Sequence, residues 1–193
     1  MTRPPSLAPP EGAVLPERHH QAPAPGQPMA SHYRLGFGCG PDHPTGLHIR
    51  VEAGEGLSVV GRFTVTHDHQ GAPGLAHGGV LSLAFDEVLG YLTVLIGRPA
   101  VTARLQTSFT RPVPVGSTLY IAAHVTGMSR RKLYTMAEGR LNASNGPIGA
   151  SASALFVTVP LEHFVQHGRR EDIDRVVADP DSVTISSTFE VNP

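Results

Sequence analysis

His77-Gly78-Gly79 and Asp86, nine residues beyond His77, are the groups in this 193-residue chain whose types and spacing can do chemistry. Two glycines opening a helix leave its first amide donors exposed, and a helix N-terminus stabilises negative charge. A carboxylate held in apolar surroundings has its pKa raised and can take a proton from water. Donors that polarise a carbonyl, together with a base that activates water, point to hydrolysis of an acyl compound.

The segment that must position these groups is a helix running on from Gly78. Its apolar run, residues 80–96, is interrupted only by Asp86, Glu87 and Gly90 among the residues unsuited to a buried helix. Ser82, Asp86 and Gly90 lie four apart and share one face, with Thr93 near its end. Apolar side chains cover the rest of the circumference, which predicts a helix buried on nearly all sides. The Ser82/Asp86/Gly90 line is then either a polar seam or the floor of a pocket. Gly90 costs about 1 kcal/mol relative to alanine inside a helix, so a close backbone or ligand neighbour is expected there. The ordinary reading is that Asp86 and Glu87 are solvated charges, or that Asp86 makes a structural hydrogen bond. Glu87 fits that plain role, whereas the face it shares with Ser82 and Gly90 sets Asp86 apart.

Eight residues of helix separate Gly78 from Asp86, a rise of about 12 Å. One scissile carbonyl therefore cannot touch both groups of a single chain. A second, antiparallel copy of the helix would bring them together, so joint action requires at least a dimer with shared sites.

Around this helix the pattern is β-rich. Residues 47–51 alternate as a strand, Gly54-Glu55-Gly56 turns the chain, and residues 57–66 complete a hairpin. A loop over residues 67–76 leads into the helix. Four more strands are expected at 100–111, 117–128, 132–141 and 148–159, as an antiparallel meander with turns at 113–116, 129–131 and 142–146. Strands, one buried helix, then strands make an α+β class in which a sheet wraps a helix. Residues 1–30 hold eight of the eighteen prolines and are expected to be disordered or loosely attached. Residues 31–160 form the domain. Residues 161–193 form a C-terminal extension, with a short helix in 162–177 and an extended piece in 183–189.

Fifteen basic against sixteen acidic residues give a net charge of −1, which argues against a nucleic-acid partner. Cys39 is the only cysteine, so no intrachain disulfide forms and a reducing compartment is expected. The first residues lack the continuous apolar stretch of a secretory signal, and the interrupted 80–96 run argues against a membrane span. The expected location is the cytoplasm.

The chain resembles the hotdog-fold thioesterases, in particular the PaaI-like (phenylacetic-acid-degradation) type. The residues that carry the resemblance are His69-Gln70-Gly71-Ala72-Pro73-Gly74-Leu75-Ala76-His77-Gly78-Gly79 and Phe85-Asp86-Glu87-Val88-Leu89-Gly90. Val101-Thr102-Ala103-Arg104-Leu105 with Phe109-Thr110-Arg111-Pro112-Val113-Pro114 looks like the family's next strand, and Cys39-Gly40-Pro41-Asp42-His43-Pro44-Thr45-Gly46-Leu47 like the turn before its first strand. The resemblance spans residues 37–160. It implies a sheet curled around the long helix, subunits paired as a homodimer or a dimer of dimers, and hydrolysis of acyl-CoA without a cofactor. It also implies that Asp86 is the catalytic carboxylate, that the Gly78 N–H polarises the thioester carbonyl, and that Thr102 lies near the attacking water. A core-facing strand residue is an equally good reading of Thr102. His77, Gly79 and Gln70 fall in the same motif, Gln70 as a contact to carbonyl or water.

An acyl-CoA substrate needs cations for its phosphates, and Arg111 with the Arg130-Arg131-Lys132 cluster are the candidates, although such a cluster is also the ordinary composition of a solvated turn. His67-Asp68-His69 and His77 lack a third partner at ligand spacing, so no metal is expected. Two other functions fit the same frame. One is a non-catalytic acyl-CoA-binding dimer. The other is a hydratase or dehydratase, which would need a histidine paired with a carboxylate.

Overall fold

A helix as apolar as the one after Gly78 needs a sheet to enclose it, and the computed structural model, which describes residues 6–179, supplies one. In chain order come β1 (Pro28–Met29), β2 (Arg50–Ala53), β3 (Ser58–Thr64), a 3₁₀ turn at His67–His69, and the small hairpin β4 (Gln70–Ala72) and β5 (Leu75–Ala76). Helices α1 (Gly78–Gly90) and α2 (Leu92–Leu95) follow, then β6 (Ala100–Phe109), β7 (Thr118–Ser129), β8 (Lys132–Leu141) and β9 (Ile148–Thr158). Helices α3 (Glu162–His167) and α4 (Arg170–Ala178) close the described chain. Seven strands form one antiparallel sheet in the order β1-β2-β3-β7-β8-β9-β6. It wraps α1, the α+β arrangement expected.

Leu81, Ala84, Phe85, Val88 and Leu89 of α1 are buried, and Leu92 and Leu95 extend the same core through α2. Where helix and sheet meet most closely the sheet carries glycine. A Cβ on Gly61 would stand 2.3 Å from Val88 Cγ2, and one on Gly139 would stand 2.9 Å from Phe85 Cζ. The stretch Gly78–Leu95 is long and apolar enough to cross a bilayer by length and composition, and 56% of it is buried inside the fold.

Four expectations are corrected. The strands from residue 100 onward are not one meander. β7, β8 and β9 pair in sequence, but β6 pairs with β9 and β7 with β3. Turn residues mark where the chain reverses, not which strand it meets. Here residues 110–117 are drawn across the helix opening by Ala76 N–H donating to Val113 O (2.9 Å) and Val65 N–H to Ser117 O (2.9 Å). The first sheet strand after the leader begins at Arg50 rather than residue 47, because His48 takes a φ of 49°, and its Nδ1 pairs with Gly40 O at 3.0 Å.

The proline-rich leader is neither disordered nor loose from residue 6 onward. Val14 and Met128 exchange backbone hydrogen bonds of 3.1 and 2.7 Å, and His19 N–H donates to Leu95 O at 2.8 Å. The Arg18 guanidinium reaches Gly54 O (3.0 Å) and also Gly56 O and Pro23 O. Met29 is buried in β1 against β2. A segment too poor in apolar residues to make its own core can still dock on one already formed. Finally, the extension carries two helices rather than one, parted at Gly168, and the extended piece expected at 183–189 lies outside the described residues.

Candidate active site

The helix opening is built by the turn ahead of it. Thr66 N–H donates to Nδ1 of the buried His69 (3.0 Å), which closes the 3₁₀ turn. Burial lowers the His69 pKa, with Asp68 opposing and His48 assisting, so this histidine is a structural element, as its loop position suggested. β4 and β5 then carry the chain back, and His77 N–H donates to His69 O at 2.8 Å. His77 is the N-cap: its Nδ1 accepts the Gly79 N–H at 2.9 Å. His77 and Gly79 thus define the helix start, leaving the Gly78 N–H at the first helical position, where no intrahelical acceptor exists. A Cβ on Gly78 would stand 3.3 Å from Phe109 Cζ, so the end of β6 lies directly over this opening. Gln70 is nearby but occupied, with its Oε1 accepting the Gly74 N–H at 3.2 Å across the small hairpin.

Two turns into α1, Thr102 Oγ1 of β6 donates to Asp86 Oδ1 at 2.9 Å. Among the described residues nothing else donates to that carboxylate. Burial raises the Asp86 pKa, the Thr102 hydrogen bond works against this, and the neighbouring Glu87 charge adds to the rise. The net direction is upward, as expected of a base in a partly apolar site. Along the same face, a Cβ added to Gly90 meets nothing within 4 Å. Among the described residues, then, the neighbour expected to explain this glycine is absent, and the face is open.

β6 is the edge strand on this side, and its residues are exposed or only half-buried, with Phe109 55% exposed. The cations fall at opposite ends of it. Arg111 lies beyond Phe109 at the helix opening, where its Nη1 donates to Ile148 O at 2.9 Å. Arg130, Arg131 and Lys132 are exposed at the β7–β8 turn. That turn meets the Thr102 end of the sheet, since Lys132 pairs with Val157 and Val157 with Val101. A groove of about 450 Å³ lined by His48, Arg50, Arg62, Thr64 and Asp68 contains none of these residues.

Glu87 overturns its expected role as a solvated charge. It turns away from Asp86, toward residues 31–40, with its side chain only 19% exposed and Oε1 standing 3.3 Å from His32 Nδ1. Cys39 lies in the same cluster. Burial works to raise the Glu87 pKa, but the close approach of His32 and Cys39 outweighs it and holds the carboxylate below its ordinary range. Burial likewise opposes the charge on His32, yet Cys39 and Glu87 carry its pKa up to about 9. No sequence spacing signals this cluster, because its members are scattered from residue 32 to residue 87.

A profile described as the thioesterase superfamily matches residues 73–142, which covers β5, α1 and the strands through β8. Acyl-coenzyme A thioesterase THEM4 of Bos taurus is 33% identical over 93 residues, 48% of this chain and 38% of that protein. The chain thus spans less than half the length of the curated relatives of this kind. A crystal structure of a thioesterase superfamily protein superposes with a TM-score of 0.59 at 32% identity, covering 64% of this chain and 63% of the other. The E. coli PaaI protein from the phenylacetic acid degradation operon shares the fold, with a TM-score of 0.54 at 22% identity over 58% of this chain and 80% of that one.

Proposed function

We propose that this chain, whose residues 73–142 match the thioesterase superfamily profile, hydrolyses an acyl-CoA thioester to the free acid and CoA at a site shared by two copies. The observation that carries the reading is the Thr102–Asp86 hydrogen bond of 2.9 Å, made on the exposed edge strand β6. The kinship with relatives named acyl-CoA thioesterases supports the substrate class.

In this reading Asp86 accepts a proton from a water that Thr102 helps to orient. The water oxygen bonds to the thioester carbon, and charge builds on the carbonyl oxygen. The Gly78 N–H of the second copy meets that charge, a contribution of about 3–4 kcal/mol for one preorganised donor. The C–S bond then breaks, and the departing thiolate takes the proton held by Asp86. Antiparallel pairing of two α1 helices sets one copy's Asp86 beside the other's opening. It also brings Arg111 of one copy toward Arg130, Arg131 and Lys132 of the other, forming a basic rim for the CoA phosphates. The open face at Gly90 leaves room for the acyl chain or the second copy.

Mixing two dead variants tests the shared site. Asp86→Asn removes the base. Gly78→Pro removes the amide while leaving a residue that the first helical position accepts. Each alone releases little free thiol from acyl-CoA. If the site is shared, their heterodimer holds one intact pair, and random mixing restores about a quarter of the wild-type rate. If base and amide act within one chain, mixing restores nothing, and a wild type that turns over no acyl-CoA at all sinks the hydrolase reading.

A further inference from the structure

His32, Cys39 and Glu87 approach one another from three parts of the chain. His32 follows the docked leader, Cys39 sits in the glycine-rich turn before β2, and Glu87 faces them from α1. A ring nitrogen, the thiol sulfur and a carboxylate oxygen all lie within 4.8 Å of one another. Across a tetrahedral zinc with bonds of about 2.0–2.3 Å, neighbouring donor atoms stand roughly 3.3–3.7 Å apart. The His32–Glu87 separation of 3.3 Å already matches that figure, and the widest separation the cluster allows needs to close by about 1 Å.

The surroundings fit a ligand better than a closed hydrogen-bond network. Glu87 Oε1 is buried, and among the described residues no donor meets it at hydrogen-bond geometry. Gly38 makes the space: a Cβ there would stand 2.1 Å from Glu87 Oε2. The ring of Tyr91 stacks on His32 with centroids 4.2 Å apart, fixing the imidazole plane as supporting residues do around metal ligands. The His32 side chain is 41% exposed, so an ion can reach the cluster from solvent.

We propose that His32, Cys39 and Glu87 bind one zinc-type divalent cation, which fastens residues 31–40 to α1. One thiolate and one imidazole exclude magnesium and calcium, which take oxygen donors, and favour zinc. A thiolate, a carboxylate and a neutral imidazole around a divalent ion sum to zero charge, which a half-buried site tolerates. The fourth position is left for water. This departs from the expectation, drawn from His67, His69 and His77, that the protein holds no metal.

Cobalt(II) alone is the probe. The full chain, stripped with chelator and dialysed, is titrated while the thiolate-to-cobalt charge-transfer absorption and the melting temperature are followed. The expected result is one ion per chain, the charge-transfer band, and a raised melting temperature. Cys39→Ser should abolish the band. His32→Ala should weaken binding by roughly 100-fold or more, since even outer-shell partners are worth 10- to 100-fold. Circular dichroism confirms that each variant is folded; should Cys39→Ser not fold, the wild-type band and stoichiometry with His32→Ala decide alone. Absence of the band in wild type, or equal cobalt affinity in wild type and His32→Ala, overturns the site.

Discussion

Asp86 and Glu87 are adjacent in α1 yet face two different worlds. Asp86 meets Thr102 on β6, an edge strand left exposed and flanked by the open face at Gly90. Glu87 enters the ordered cluster of His32, Cys39 and Tyr91, on the side where the leader and the turn before β2 close over the helix. One side of the helix is finished by its own chain. Among the described residues the other is left open, and the chemistry assigned to it needs a substrate and a second copy. A partly desolvated carboxylate with one hydroxyl partner is poised to take a proton; one held among a histidine and a thiol is tied down.

Five substitutions probe that contrast, beginning with the largest effect. Asp86→Asn should lower acyl-CoA hydrolysis by about 100- to 10,000-fold, the usual worth of a general base, in a free-thiol assay, without lowering the unfolding free energy. Gly38→Ala should cost about 2 kcal/mol of stability in denaturant titration, because the new methyl group drives Glu87 out of its cluster. Paired with Glu87→Gln, the two costs should be less than additive; strict additivity would separate Gly38 from the carboxylate. Thr102→Ala should slow hydrolysis about tenfold, the worth of one hydrogen bond near 1.4 kcal/mol, and a rate equal to wild type would reduce Thr102 to an edge-strand residue. Gly90→Ala has the smallest expected effect: up to about 1 kcal/mol of added helix stability, with reduced turnover or weaker dimerisation because the open face is narrowed. A gain in stability with turnover and assembly unchanged would mean that nothing docks there.

Much of the fold was legible because periodicity and burial are tied together. The apolar run after Gly78 announces an enclosed helix, the turn at Gly54-Glu55-Gly56 announces the first hairpin, and residues 132–141 bound a strand to the residue. His77, Gly78 and Gly79 were identifiable as a helix opening because only local geometry is needed there. The pairing of β6 with β9 was not legible, since turn residues encode reversal but not partner. Nor was the docking of the leader, whose composition reports that it lacks a core of its own and is silent about a borrowed one. Glu87 was misread for a related reason: its partners lie far away in sequence, and neither histidine nor cysteine stands at a ligand spacing.

By itself the sequence determined which helix is buried, where its amides emerge, and that Asp86 shares a face with Ser82 and Gly90, because a helix converts spacing into direction with no outside help. Tertiary structure alone decided that Thr102 reaches Asp86, that β6 is left as an open edge, and that His32 and Cys39 meet Glu87. Those contacts join residues whose separation along the chain carries no period, so only the packed chain brings them together.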